Sequence, residues 1–514
     1  MKPDLPHNPR PGAGINHPDV EDVATTTTSL GVPVRLRPFF TAFTAAAMIA
    51  AVPMPGLSDA GAVLAAPPAG AISDNVEFVS NTQLPAAAIG MAFDGDVVFI
   101  TTAAGLFSYD ISDPAAPALL GSLPYYIWEN EDMTYDAERK LLFVSRDPRG
   151  FTGIVAPAEL RFFGQVEIFD VSNPAVFVPV NAFTLPAGHT STCISGGDGP
   201  CDFTWTGGPY GTTQLGDPYG RPIYATDITD PRNPVACPEP VNMNLKPDGG
   251  TGYAHDVQVD DDGIAWVSSE GGIHGYWTYG EHVDPTTGVT RTATGCNPVP
   301  YGGGVSPTDA TPSRFMHNAW RPTHLGIPGD DESIGHVLLA TEEDTSTDCA
   351  ASGRFATYDL RSSLDGSGFT NPEGFELDAL DSWTPEGVEG ATGCASAHYF
   401  QDRGDALLTY AFYGQGVRFL DVSDPRDIRQ VGYYRPDGGN AFASYWHDGY
   451  VYVADVGRGM DVVRVIDEAG AEVETGASAT MRTVEAPMLA AGALDDSALY
   501  DARTGYTCRL PLGG

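Results

Sequence analysis

One five-residue unit, Asp–hydrophobic–Ser/Thr–Asp/Asn–Pro, constrains the fold of this chain more than any other feature. It stands at Asp110-Ile111-Ser112-Asp113-Pro114, Asp170-Val171-Ser172-Asn173-Pro174, Asp227-Ile228-Thr229-Asp230-Pro231 and Asp421-Val422-Ser423-Asp424-Pro425. The first three copies lie 60 and 57 residues apart. A β-rich run precedes each copy, as in Val166-Glu167-Ile168-Phe169 and Val417-Arg418-Phe419-Leu420. Weaker copies stand at Phe355 to Asp359 and Val462 to Asp467. The physics of the unit is local. The first Asp accepts from nearby backbone N–H groups. Asx-Pro then starts a turn, because proline presets φ and cannot continue a ladder. Calcium at these aspartates is the functional alternative; a turn that ends one strand and aims the next is the simpler reading. Self-similarity at such a period marks a repeat architecture.

Each unit also carries a hairpin. Asp260-Asp261-Asp262-Gly263 separates two apolar runs, as do Asp94-Gly95-Asp96 and His447-Asp448-Gly449. Asp-Gly between such runs is a strong hairpin signal. Hairpin, third strand, Asp-Pro turn and outer strand make four strands per unit, the content of a propeller blade. Units open near Ala88, Glu131, His189, His255, His317, His398 and Ser444. The predicted fold is therefore all-β, a single seven-bladed β-propeller over residues 72–467, with six or eight blades also compatible. Blades two to five are long, and insertions are expected at Pro200 to Asp217 and Tyr279 to Pro312. The last unit stops after about three strands, and Asn75 to Val79 is expected to supply its outer strand, which removes an open edge. Residues 468–514 read as a flexible acidic tail.

Composition agrees with many short strands. The chain has 514 residues, with 60 Gly and 42 Pro, yet 42% are hydrophobic, which argues against disorder. The formal net charge of −40 repels phosphate backbones and anionic membrane surfaces, so nucleic acid is not an expected partner. Residues 1–65 read as a leader: Arg35 and Arg37 precede an apolar run from Phe39 to Val52, and small residues follow. That run is 14 residues long, short for a bilayer span, and no membrane span is expected in the mature chain. An uncleaved signal anchor is the alternative. The expectation is a secreted or cell-surface protein, acting as a monomer. Export would oxidise the seven cysteines. Cys193 with Cys201 would staple a hairpin; Cys237 with Cys296 and Cys349 with Cys394 are further pairs by order, leaving Cys508.

The hydrophobic triplets that run into Asp-Ile/Val-Ser/Thr-Asp/Asn-Pro resemble the LVIVD-repeat proteins, a family of exported β-propellers, over roughly residues 75–467. The resemblance implies a propeller in a surface or extracellular setting. It implies no activity, because propellers host binding modules and enzymes alike.

No GxSxG, P-loop, HExxH, dinucleotide fingerprint or EF-hand loop is present. The histidines carry the chemical signal. His189-Thr190, His255-Asp256, His317-Asn318 and His398-Tyr399 open four successive units, and Glu131-Asp132 stands at the matching place in the second. First strands line the channel of a propeller, so these residues would face one axis. Four imidazoles and a carboxylate suit one transition metal ion: copper, iron, manganese or zinc. Glu270, Glu342 and Glu343 end second strands and would stand behind the ligands. A shorter likeness, His317-Asn318 followed by Leu339-Ala340-Thr341-Glu342-Glu343, is to the selenium-binding protein and methanethiol oxidase family, in which channel histidines are thought to hold metal. The same imidazoles have a structural alternative, which is to bond the backbone of a neighbouring blade. His274, His282, His324, His336 and His447 fall off this register and read as loop or turn residues. Trp205, Tyr276, Trp277, Trp320, Trp383 and Tyr399 read as inter-blade packing, with a sugar platform as the alternative. Two functions stay open: a binding and interaction module for an extracellular ligand or protein, or a metal-dependent oxidoreductase or hydrolase built on His189, His255, His317, His398 and Glu131.

Overall fold

A computed structural model of the chain describes residues 63–64, 69–124, 133–147, 164–195, 199–208, 223–241, 254–269, 271–304, 314–344, 353–371, 375–385, 396–466 and 481–484. All of them lie in one of the two units of the chain, Pro53–Gly514. The leader reading, apart from Val63–Leu64, falls outside the described residues, as do Glu131, Glu270, Cys349, Cys394 and Cys508.

The strands assemble into seven antiparallel sheets in sequence order, with an extra two-stranded hairpin. Blade 1 is Ala88–Asp94, Val97–Thr102, Gly105–Asp110 and Ala118–Pro124. Blade 2 is Met133–Asp136, Leu141–Arg146, Gly164–Asp170 and Val178–Leu185. Blade 3 is Thr190–Ser195, Cys201–Gly207, Tyr224–Asp227 and Val235–Ala236. Blade 4 is Ala254–Val259, Ile264–Ser269, Gly272–Trp277 and Val299–Gly304. Blade 5 is Arg314–Trp320, Val337–Asp344, Phe355–Asp359 and Asp378–Trp383. Blade 6 is Phe400–Asp402, Leu407–Ala411, Val417–Asp421 and Arg429–Pro436. Blade 7 takes Ala441–His447, Tyr450–Asp455 and Gly459–Val465 from the end of the ring, and its outer strand, Val76–Thr82, from the beginning. The closing strand expected from the sequence is thus present and longer than expected. Gly70–Ser73 goes further and pairs with Arg429–Pro436 of blade 6, so the N-terminal segment ties two blades. Within the segment read as a tail, Met481–Val484 is a strand on Gly70–Ser73.

The repeated unit does the same work in each copy. Asp110, Asp170, Asp227 and Asp421 accept from the backbone N–H two residues on, at 2.9, 2.9, 3.0 and 2.9 Å. The hydrophobic residue that follows is buried, and its N–H reaches back to the hairpin turn: Ile111 to Asp96 O, Val171 to Lys140 O, Ile228 to Asp202 O and Val422 to Ala406 O. The proline carbonyl serves the preceding blade. Ser80 donates to Pro114 O, Ser108 to Pro174 O and Thr357 to Pro425 O. The turn therefore ends its own sheet and registers it on the preceding one. Apolar clusters fill the gaps between blades, as where Phe99, Leu142, Phe169 and Phe177 pack blade 1 on blade 2.

Two expected insertions need correction. Cys201–Gly207, inside the segment taken as a loop, is the second strand of blade 3, and Trp205 on it is fully buried with its indole N–H on Gly295 O at 2.9 Å. Val299–Gly304, inside the second expected loop, is the outer strand of blade 4; the insertion proper holds the hairpin Glu281–Val283 and Thr290–Thr292. Cys193–Cys201 staples the first hairpin of blade 3, and Cys237–Cys296 clasps blade 3 to that insertion. Among the described residues, no helix is long and apolar enough to cross a membrane.

Candidate metal centre

The innermost strands are not regular ladders. In blade 4 the register steps from Ala254↔Ser269 to Asp256↔Ser268, which leaves His255 as an extra residue. In blade 5 it steps from Met316↔Glu342 to Ala319↔Ala340, and His317-Asn318 faces Thr341 alone. Blades 1 and 7 carry the same bulge, at Ile89-Gly90 and at Phe442. A bulge re-aims a side chain and frees backbone groups. In blade 3 the N–H groups of Gly188 and His189 both donate to Gly207 O, at 3.3 and 3.2 Å. Gly208 beside it has φ +122°, and a side chain there would run into His189 Cβ.

The four histidines form one buried row, two of them, His255 and His317, set by bulges. Ring centroids are 4.9 Å apart for His189 and His255, 4.4 Å for His255 and His317, and 4.0 Å for His317 and His398. None is more than 1% exposed. Phe442, the bulge residue of blade 7, extends the row at 4.1 Å from His398.

The carbonyls freed by the bulges are taken up from blade to blade. Ser145 donates to His189 O, Thr190 to His255 O, His255 Nδ1 to His317 O and His398 Nδ1 to Phe442 O. So His255 and His398 do bond the neighbouring blade's backbone, as the structural alternative requires, with one ring nitrogen each. A carbonyl only accepts, so Nδ1 carries a proton, and in the neutral ring Nε2 then presents a lone pair. His189 Nδ1 faces Asp147 Oδ2 at 3.1 Å, both side chains fully buried, and an ionised carboxylate there would fix the same tautomer.

Two consequences follow. His189 Nε2 and His255 Nε2 lie 3.1 Å apart. Two lone pairs at that distance repel unless a positive centre joins them, either a proton or a metal. Metal–nitrogen bonds of about 2.0–2.1 Å place two neighbouring nitrogens roughly 3.0–3.4 Å apart, depending on coordination angle. The observed separation fits. Beside this pair, one ligand atom each from His255, His317 and Glu343 lie within 4.8 Å of one another, all three side chains buried. Glu343 Oε2 is 3.8 Å from His317 Nε2, and its Oε1 accepts from the Tyr413 hydroxyl.

Glu343 was expected behind the histidines; the structure sets it beside His255 and His317. Glu342, its neighbour, points elsewhere and pairs with Arg354 at 3.0 Å. Asp147 was not singled out by sequence, although it ends the second strand of blade 2 as Glu343 ends that of blade 5. Of the off-register histidines, His274 is not on a loop: it sits on Gly272–Trp277, fully buried, and burial pushes its imidazole down to about 3. His282 stacks on Trp277 at 4.0 Å, and His447 on Phe93 at 4.4 Å.

No curated protein matches the sequence. Among solved structures, the fold is similar to the β-propeller domain of Cps50 (Swd1) from Myceliophteria thermophila, at 10% identity and a TM-score of 0.44, over 76% of this chain and 100% of that one. It is similar to the periplasmic gluconolactonase PpgL of Pseudomonas aeruginosa, at 12% identity and a TM-score of 0.48, over 81% of this chain and 100% of that one. A WD40 β-propeller domain of Doa1 is similar at 9% identity and a TM-score of 0.45, over 77% of this chain and 99% of that one. Residues 88–124, which make up blade 1, match the family model of the LVIVD repeat, so the chain is a seven-bladed β-propeller that carries an LVIVD repeat.

Proposed function

We propose that the row of histidines is a transition-metal centre and that this propeller is a metal-dependent enzyme, an oxidoreductase or hydrolase. The observation that carries the reading is the His189–His255 pair. Its two Nε2 atoms are 3.1 Å apart while both Nδ1 atoms are committed to acceptors. His189, His255, His317 and Glu343 would hold the ion, with His398 flanking them. Imidazole with carboxylate suits copper, iron, manganese or zinc. Bound there, such an ion supplies Lewis acidity or redox chemistry. The blades carry their own apolar cores, so an ion at the axis serves chemistry rather than folding. The leader reading of residues 1–65 and the two disulfides support secretion to an oxidising compartment as the setting.

Elemental analysis of the purified protein tests this, with a His255→Ala/His317→Ala double variant beside it. The expected result is about one transition metal per chain in the wild type and none in the variant. If the wild type holds no stoichiometric metal even after reconstitution with each of the four ions, the enzyme reading falls. A recognition module for an extracellular ligand then remains.

A further inference from the structure

We infer that Tyr413 is the positioning residue of this centre: its phenol holds Glu343 Oε1, so that Oε2 alone is offered to the metal. The inference rests on the metal reading above and adds to it an assignment for a residue outside the histidine register.

Tyr413 sits in the turn between Leu407–Ala411 and Val417–Asp421 of blade 6. Its φ is +44°, in the left-handed region, an uncommon and costly conformation for an aromatic residue. Surroundings over-determine it. Its N–H donates to Ala441 O at 3.0 Å, and its carbonyl accepts from Ala441 at 3.0 Å and Gly416 at 2.9 Å. A tight turn alone would favour Gly or Asn here. The chain instead keeps a fully buried tyrosine, and the strained backbone fixes where its ring goes.

That ring points into the centre. Its centroid is 4.8 Å from that of His398, and its hydroxyl donates to Glu343 across the boundary between blades 5 and 6. The two adjacent carboxylates of blade 5 are sorted by their partners. Glu342 is taken by Arg354, while Glu343 is taken by Tyr413 on one oxygen and approaches His317 with the other, at 3.8 Å. A carboxylate bonded at one oxygen binds a metal through the other. Released, it is free to chelate through both and raise the coordination number. Packing against His398 needs only a ring, so the hydroxyl is the atom that separates positioning from packing.

The test uses the full-length protein, Co²⁺ as the probe, and the variants Tyr413→Phe, Glu343→Gln and the double. Thermal unfolding and circular dichroism establish that each variant is folded. Tyr413→Phe should bind Co²⁺ about 10–100-fold more weakly. It should also weaken the visible d–d absorption of the bound ion, as a higher coordination number does. Glu343→Gln should bind weakly as well, and the double variant should be no worse than Glu343→Gln alone, because the phenol acts through that carboxylate. A Tyr413→Phe variant with wild-type affinity and spectrum would overturn the inference and leave the metal reading standing. So would losses that add in the double variant, or a Tyr413→Phe protein that no longer folds, which would assign the phenol to the fold. A wild type that binds no Co²⁺ would overturn both.

Discussion

His255 uses its two ring nitrogens for different purposes. Nδ1 closes a carbonyl that a bulge left open in the next blade, and Nε2 faces His189. The structural role read as an alternative in the sequence is present at Nδ1, while the proposed ligand role falls to Nε2, so the two readings divide by atom rather than by residue. The register of the four histidines was legible because the repeat sets it. The bulges were not, because one extra residue in a strand leaves no compositional mark. Which of Glu342 and Glu343 faces inward was equally hidden, since neighbouring residues in a strand point to opposite sides and a shift of one residue exchanges them. His274 shows a different limit. Nothing in its neighbourhood marks it as buried, yet its pKa falls from the ordinary 6.5 to about 3. The folded pKa lies below the unfolded one, so the unfolded chain binds the proton first. Stability from this group is complete above about pH 6.5 and drains away on acidification towards pH 3. Relative to a His274→Gln variant, the wild type should lose about 2 kcal/mol between pH 7 and pH 5, read from urea unfolding at each pH.

At the level of the element, the Asp-Pro turn was the clearest signal in the sequence, and its local chemistry was predicted correctly. Its second role was not. The hydroxyls of Ser80, Ser108 and Thr357 reach the proline carbonyl of the neighbouring blade. No local pattern reveals that contact, because donor and acceptor belong to different blades. Ser108 is fully buried and also lies 3.4 Å from Gly121 O. Ser108→Ala should lower unfolding stability by about 1 kcal/mol, measured by urea titration, with no change in metal content. The misread insertions have a related cause. Cys201–Gly207 lies between Gly-rich stretches of sequence, and these turn-forming residues hid a strand whose Trp205 is core.

For the molecule as a whole, seven sheets and the closure of the ring could be read from the sequence. The depth of the closure could not. Val76–Thr82 completes blade 7, and Gly70–Ser73 extends blade 6. Asn81 adds a buried hydrogen bond to Asp461, itself paired with Arg458. A chain that starts at Leu84 would lack both strands and expose two sheet edges. It should melt at a lower temperature than the full chain and associate on gel filtration, because unpaired edges are templates for pairing.

The closing strand also sets an order of events. Asn81 and its partner Asp461 are 380 positions apart. Val76–Thr82 must wait for the third strand of blade 7, Gly459–Val465, before it can pair. Contacts so distant in sequence form slowly. Until that strand is made, the ring is a crescent with two raw ends. The latch engages only when Gly459–Val465 arrives.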